Sequence, residues 1–212
     1  MKKSDDMALQ DEHLVVVVLR AELAQERGAS RVALLRARAL VSLAQAARAM
    51  GAELGALMKD ERDAPLQSGG WHWSLSHTSH DDLGLVAASV SRSPVGIDAE
   101  AIRLPRAEVV ASTLTEAERR LFSAPDEALV FTRAWTAKEA VLKKLGLGLM
   151  ALSELRIEDV DGDSIVIERG GVHHAVESRA FAPFLVSIAG RAREGVEWPA
   201  DDIADREVSR EA

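Results

Sequence analysis

The chain has 212 residues, a formal net charge of -8, 47% apolar residues and only 4% aromatic ones. That length suits one large domain or two small lobes sharing a core of Leu, Val, Ile and Ala, and the absence of Cys excludes disulfides, thiolate catalysis and Cys-bearing zinc sites. The acidic balance argues against general nucleic-acid binding, and no run approaches the ~20 apolar residues that span a bilayer, so the expectation is a cytoplasmic protein with neither nucleic-acid nor membrane partners. Residues 1–12 are polar and read as a flexible tail. The β-branched run over 13–20 predicts a buried strand. Ser30 is placed to cap a helix running to about Met50, although Arg38 falls on the face of Leu34 and Val41 and makes the apolar stripe ragged. Residues 60–70 read as a loop. Strands are expected over 71–76, 83–91 and 94–100, with Ser91-Arg92-Ser93-Pro94 separating the last two like a hairpin turn. A helical stretch follows, in which Thr115 and Glu118 form a capping box, and a longer helix is expected over 126–145, ending near Gly146. Strands over 155–160, 163–168, 172–178 and 183–189 complete the pattern. Residues 193–212 are charged, hold Pro199 and lack an apolar period, so they read as a second flexible tail.

This order predicts an α+β fold of two similar lobes, each a small, mostly antiparallel sheet packed with a long helix. The N-terminal lobe is expected over 13–103 and the C-terminal lobe over 104–192.

Three carboxylates carry the chemistry. Asp98 and Glu100, in Gly96-Ile97-Asp98-Ala99-Glu100, lie two apart at a strand end and so share a face. Adjacent like charges repel unless something offsets them, and magnesium, an oxygen-seeking cation, does this well. A solvated strand end would carry the same pair. Glu139 lies in Trp135-Thr136-Ala137-Lys138-Glu139-Ala140, four residues before Lys143. Alone, that spacing is also an ordinary helix-surface ion pair, worth about 0.2–0.5 kcal/mol. No phosphate-binding glycine loop or nucleophile elbow is present, since Gly69-Gly70 is a turn and Ser74 and Ser76 lack the flanking glycines.

Taken together, Gly-Ile-Asp-x-Glu followed by Trp-x-x-Lys-Glu-Ala-x-x-Lys-x-x-Gly-x-Gly-Leu, with Gly146 and Gly148 in place, resembles the Sfp-type 4′-phosphopantetheinyl transferases, the two-lobed monomeric branch of that superfamily. The resemblance covers about residues 30–190. It implies that Asp98, Glu100 and Glu139 are ligands of Mg2+ (or Mn2+), and that Lys138 and Lys143 act beside the pyrophosphate. Glu139, Lys143 and Lys138 are thus the implied catalytic residues. Ser76 and His77 match the family's Ser-His pair that contacts coenzyme A. Arg62, and Arg31 and Arg38 on the first helix, would add positive charge for the coenzyme phosphates, as would Lys138 and Lys143. The implied reaction moves 4′-phosphopantetheine from coenzyme A to a serine of an apo acyl or peptidyl carrier protein and releases 3′,5′-ADP, the holo-acyl-carrier-protein synthase type of activity. Ile102, Arg103, Leu104 and Arg106 lie where the carrier is expected to dock. A non-catalytic relative that binds coenzyme A or a carrier, and an unrelated magnesium-dependent phosphohydrolase, are the competing readings.

Overall fold

The structure, a computed structural model, describes residues 14–190 and 196–199. The expected tail at 1–12, and the one at 193–212 except for 196–199, lie outside the described residues. Nine strands and four α-helices are assigned among the described residues. β1 (Leu14–Glu22) leads into α1 (Gly28–Ala49), then β2 (His72–His80), β3 (Leu83–Ser91) and β4 (Gly96–Ala101). Next come α2 (Ala107–Thr113), α3 (Glu116–Arg119) and α4 (Glu127–Lys144). After a 3-10 turn over Leu149–Glu154 come β5 (Arg156–Asp161), β6 (Ser164–Arg169), β7 (Val172–Phe181), β8 (Phe184–Ala189) and β9 (Val196–Glu197). The α+β class is as expected, and none of the described helices is long and apolar enough to cross a membrane.

Two sheets form, in the orders β2-β3-β1-β9 and β4-β8-β7-β6-β5. Every pairing is antiparallel except the short β1–β9 contact. Period-2 alternation sorts the side chains into layers. Leu14, Val16, Val18, Leu85 and Ala87 of the first sheet meet Ile97, Ala99, Phe184, Val186 and Ile188 of the second. The first sheet's other face, with Trp73, Ala88 and Val90, packs on Leu43 and Ala46 of α1. The second sheet's other face, with Ile157, Ile165 and Val176, packs on Ala137 and Val141 of α4. The layers therefore run α1, first sheet, second sheet, α4.

Several expectations are corrected. Ser91–Pro94 is not a hairpin turn: β3 pairs with β1 and β2, whereas β4 crosses to the second sheet and pairs with β8, setting Asp98 opposite Ser187. By hydrogen bonding, then, Asp98 and Glu100 belong to the same sheet as the strands after α4, not with residues 13–91. Ser30 is not the first residue outside α1. The helix begins at Gly28, and the Ser30 hydroxyl lies inside its first turn, donating to Arg27 O at 2.8 Å. Residues 196–199 are not a frayed tail: Val196 and Glu197 pair with Leu14 and Val15, and Trp198 rests on Phe181 with ring centroids 6.1 Å apart.

The Thr115–Glu118 capping box is realised. Thr115 Oγ1 accepts from Glu118 N at 3.2 Å, and Glu118 Oε2 accepts from Thr115 N at 2.8 Å. Asp126 caps α4, its Oδ1 accepting from Ala128 N at 2.9 Å.

Candidate active site

The two sheets meet along β2 and β4, each an edge strand of its own sheet. An edge leaves backbone groups unpaired. Here Ile97 N of β4 donates to Ser74 Oγ of β2 at 3.0 Å. Gly96 is required on β4 because a Cβ there would lie 2.0 Å from Ala140 O and 2.4 Å from Lys144 N. Its bare backbone lets α4 lie directly on β4, which carries Glu139 and Lys143 to Asp98.

Asp98 is buried at 4% exposure. Its Oδ1 accepts from Ser76 Oγ at 3.0 Å and from Lys143 Nζ at 2.7 Å. Lys143 Nζ also donates to Ile97 O at 3.1 Å and to Ser76 Oγ at 3.3 Å. Its ammonium thus goes to β4 and β2. Asp98 Oδ2, equally buried, has no hydrogen-bond partner. Glu100, half-buried, accepts from Thr78 Oγ1 at 3.3 Å.

Two of the three carboxylates, Glu100 and Glu139, resist ionising at this site. Burial, then the charges of Asp98 and Glu100, push Glu139 up to about 7, against the opposing pull of Lys143. Glu100 is also raised, by burial first and Asp98 second, while Thr78, Arg103 and Lys143 oppose the shift. His77 is lowered by burial, with the cations Arg36 and Lys143 adding to the effect against its own backbone hydrogen bond.

These residues bear on whether a divalent ion fits. Among the described residues, no group of three His, Cys, Asp or Glu side chains is close enough together to hold a metal, and Lys143 is paired with Asp98. The donor set nevertheless suits one. All three groups are hard oxygen ligands, their charges repel one another, and Asp98 Oδ2 is a buried acceptor left over after the lysine is bound. Leaving such an oxygen unmet costs roughly 1–3 kcal/mol, a cost a cation would remove.

Lys138, expected beside the pyrophosphate, is elsewhere. It is 3% exposed and forms a buried ion pair with Glu118 at 2.7 Å, while also donating to Thr113 O at 2.7 Å. The physical reason is helical period: Lys138 stands between Ala134, Val141 and Leu142, all buried, so it points into the protein from α4's inner stripe.

The coenzyme candidates divide. Ser76 and His77 alternate across β2, so Ser76 faces the carboxylates while His77 points the other way and feels the charges of Arg36 and Lys143. Arg31 does not join them: it bridges to the β2–β3 turn, through Asp81 O and, at 3.7 Å, Asp82. Arg38 is half-buried on α1. Arg62 is exposed in a turn closed by its own N–H on Asp60 Oδ1 at 2.9 Å. That turn stands near the end of α4, since a Cβ on Gly146 would be 3.8 Å from Ala64 Cβ.

Three residues escaped the sequence reading. Arg36 is the α1 cation felt by His77; nothing in the ragged stripe of that helix distinguishes it from Arg31 or Arg38. Ser74 and Thr78 could have been found, because Ser74, Ser76 and Thr78 alternate along one strand and must share a face.

Beside Glu100 a cavity of about 150 Å³ opens, lined by Arg103, Pro105, Val109, Phe131 and Trp135 among others. Pro105 and Phe131 also line a larger groove of about 490 Å³, which continues over Leu104, Val110 and Leu114. The segment after Glu100 therefore borders a largely apolar groove, rimmed also by Glu116, Arg119 and Glu127, that adjoins the cavity beside Glu100.

No curated protein matches the chain. The model of the 4′-phosphopantetheinyl transferase superfamily matches residues 94–184, a segment that holds β4, α4 and thus Asp98, Glu100, Glu139 and Lys143. Over this segment, somewhat less than half of the chain, the protein is similar to the 4′-phosphopantetheinyl transferase superfamily.

Proposed function

We propose that the protein is an Sfp-type enzyme that transfers 4′-phosphopantetheine from coenzyme A to a serine hydroxyl of an apo acyl or peptidyl carrier protein, releasing 3′,5′-ADP. The observation that carries this reading is the buried, unpartnered Asp98 Oδ2 among three mutually repelling carboxylates, within the stretch that matches the superfamily. Asp98, Glu100 and Glu139 would hold Mg2+, with Mn2+ as a substitute. When bound, such an ion neutralises and aligns pyrophosphate oxygens.

The chain's own groups supply the rest. Lys143 lies beside Asp98 on a flexible stem, so it can turn to an incoming phosphate once Asp98 has another cation. His77 feels the charge of Arg36, and the two are the candidates to meet a coenzyme phosphate; an anion there would favour the protonated imidazole. Either Glu139 or a water held by the metal would accept the serine proton. Lys138 has no part in this scheme because Glu118 holds it. The apolar groove along Leu104, Pro105 and Val110 suits an apolar carrier surface, which matters because long-range charge works against an acidic carrier meeting a chain of net charge -8.

The test is direct. Incubation with coenzyme A, Mg2+ and a panel of apo carriers should give a carrier bearing the phosphopantetheine mass. Glu139→Gln should abolish transfer while coenzyme A binding partly survives. Near-normal turnover of that variant at saturating Mg2+ would sink the role of Glu139. Coenzyme A binding without an adduct on any carrier would favour a non-catalytic binding module.

A further inference from the structure

β2 and β4 run side by side in the same direction, yet no backbone ladder joins them. Alternate hydroxyls on β2 bridge the gap instead. Ser74 Oγ accepts from Ile97 N at 3.0 Å, Ser76 Oγ donates to Asp98 Oδ1 at 3.0 Å, and Thr78 Oγ1 donates to Glu100 Oε2 at 3.3 Å. The rungs rise in step on both strands. The first fixes the backbone of β4 against β2, and the next two each aim one carboxylate.

Thr78 matters most of the three. Asp98 is buried and also held by Lys143, so its orientation is determined twice. Glu100 is longer and half-buried, and an unrestrained Glu side chain has much rotamer entropy to lose on being fixed. Thr78 is β-branched and stiff at χ1, and its backbone is held in the β2–β3 ladder opposite Leu85. Its hydroxyl is therefore a rigid donor for a mobile acceptor.

We propose that Thr78 is a positioning residue, holding the Glu100 carboxylate in the orientation a divalent ion requires. The inference rests on the reading that Asp98, Glu100 and Glu139 bind that ion. Thr78 itself touches neither ion nor substrate. Its contribution is pre-organisation, and loss of such an outer partner typically weakens metal binding about 10–100-fold. A single 3.3 Å bond to a half-exposed group belongs at the low end.

The experiment is titration of the metal-free protein with Mn2+, following the free ion by electron paramagnetic resonance. Thr78→Val keeps the branched shape and removes the hydroxyl. It should bind Mn2+ about 10-fold more weakly, Thr78→Ser should recover most of the loss, and Thr78→Val should change nothing further in a Glu100→Gln background. Should the valine variant not fold, as judged by its thermal transition, Thr78→Ala carries the same comparison. Wild-type affinity in Thr78→Val, no recovery in Thr78→Ser, or an equal loss without Glu100 would each overturn the inference while leaving the metal reading intact. A wild-type protein that does not bind Mn2+ overturns both.

Discussion

Glu139 shows how a single residue can set the cost of the whole site. In the metal-free protein its carboxyl is pushed up to about 7 from an ordinary value of 4.5, by burial first and then by Asp98 and Glu100. The raised value fixes the sign of the pH dependence. Below about 4.5 the group is protonated both folded and unfolded, so it costs nothing. As pH rises to about 7 the unfolded chain releases the proton more readily than the folded one, and stability falls. Above about 7 the folded protein carries the full penalty. Thermal unfolding in chelator should therefore show Glu139→Gln gaining stability over the parent between pH 5 and pH 8, with the gap widening as pH rises. A gap that stays constant across that range would mean Glu139 does not feel its neighbours. Divalent metal should close the gap in the parent, because metal ligation favours the same ionised form that burial disfavours.

At the scale of elements, α4 does two jobs with adjacent residues. Glu139 and Lys143 face β4, while Lys138, one position away, turns inward to Glu118 of α3. Glu118 in turn accepts from Ile157 N of β5 at 2.8 Å and from Thr115 N at 2.8 Å. Burial alone would raise this carboxylate, but Lys138 and the backbone donors outweigh it and hold it below its ordinary value. The pair thus pins α3, α4 and β5 together. Lys138→Met should lower the unfolding free energy by about 3–5 kcal/mol in urea, because it strands a buried carboxylate. Lys138→Met with Glu118→Gln should recover much of that loss, since the amide oxygen can still accept from Ile157 N. An unchanged urea midpoint in the single variant would return Lys138 to the list of ligand-binding candidates. The inward direction of Lys138 could have been read from its neighbours Ala134, Val141 and Leu142, which mark α4's apolar stripe. The motif that surrounds it directed attention to chemistry instead. Elements were legible where they carry a compositional run or a cap, as with the β-branched run of β1 and the Thr115–Glu118 box. The sheet to which β4 belongs was not. Ser91–Pro94 has the composition of a hairpin turn, and only the distant pairing partner β8 decides otherwise.

For the molecule as a whole, the pairing of β4 with β8 means that the site is assembled from both sheets. Ser76 and Thr78 come from the first sheet, Asp98 and Glu100 from the second, and Lys143 from the helix laid over the second. The apolar layer between the sheets is shared: Leu14, Val16 and Leu85 on one side meet Ile97, Phe184 and Ile188 on the other. β9 adds a tie, pairing with β1 while Trp198 sits on Phe181 of β7. A division into lobes at residue 103 would therefore describe sequence order better than stability, because neither half can bury its inner face alone. One consequence is measurable. Leu85 is fully buried in that shared layer, and Leu85→Ala should cost about 2–5 kcal/mol. If the halves unfold as one unit, hydrogen exchange should report this cost at the slowest amides of α4 and β7 as well as at those of α1, by the same free energy. Were protection lost only in α1 and the first sheet, the second sheet would be an independent folding unit. The carboxylates would then keep their geometry on β4 even with β2 displaced, and the hydroxyls of β2 would be dispensable for holding them.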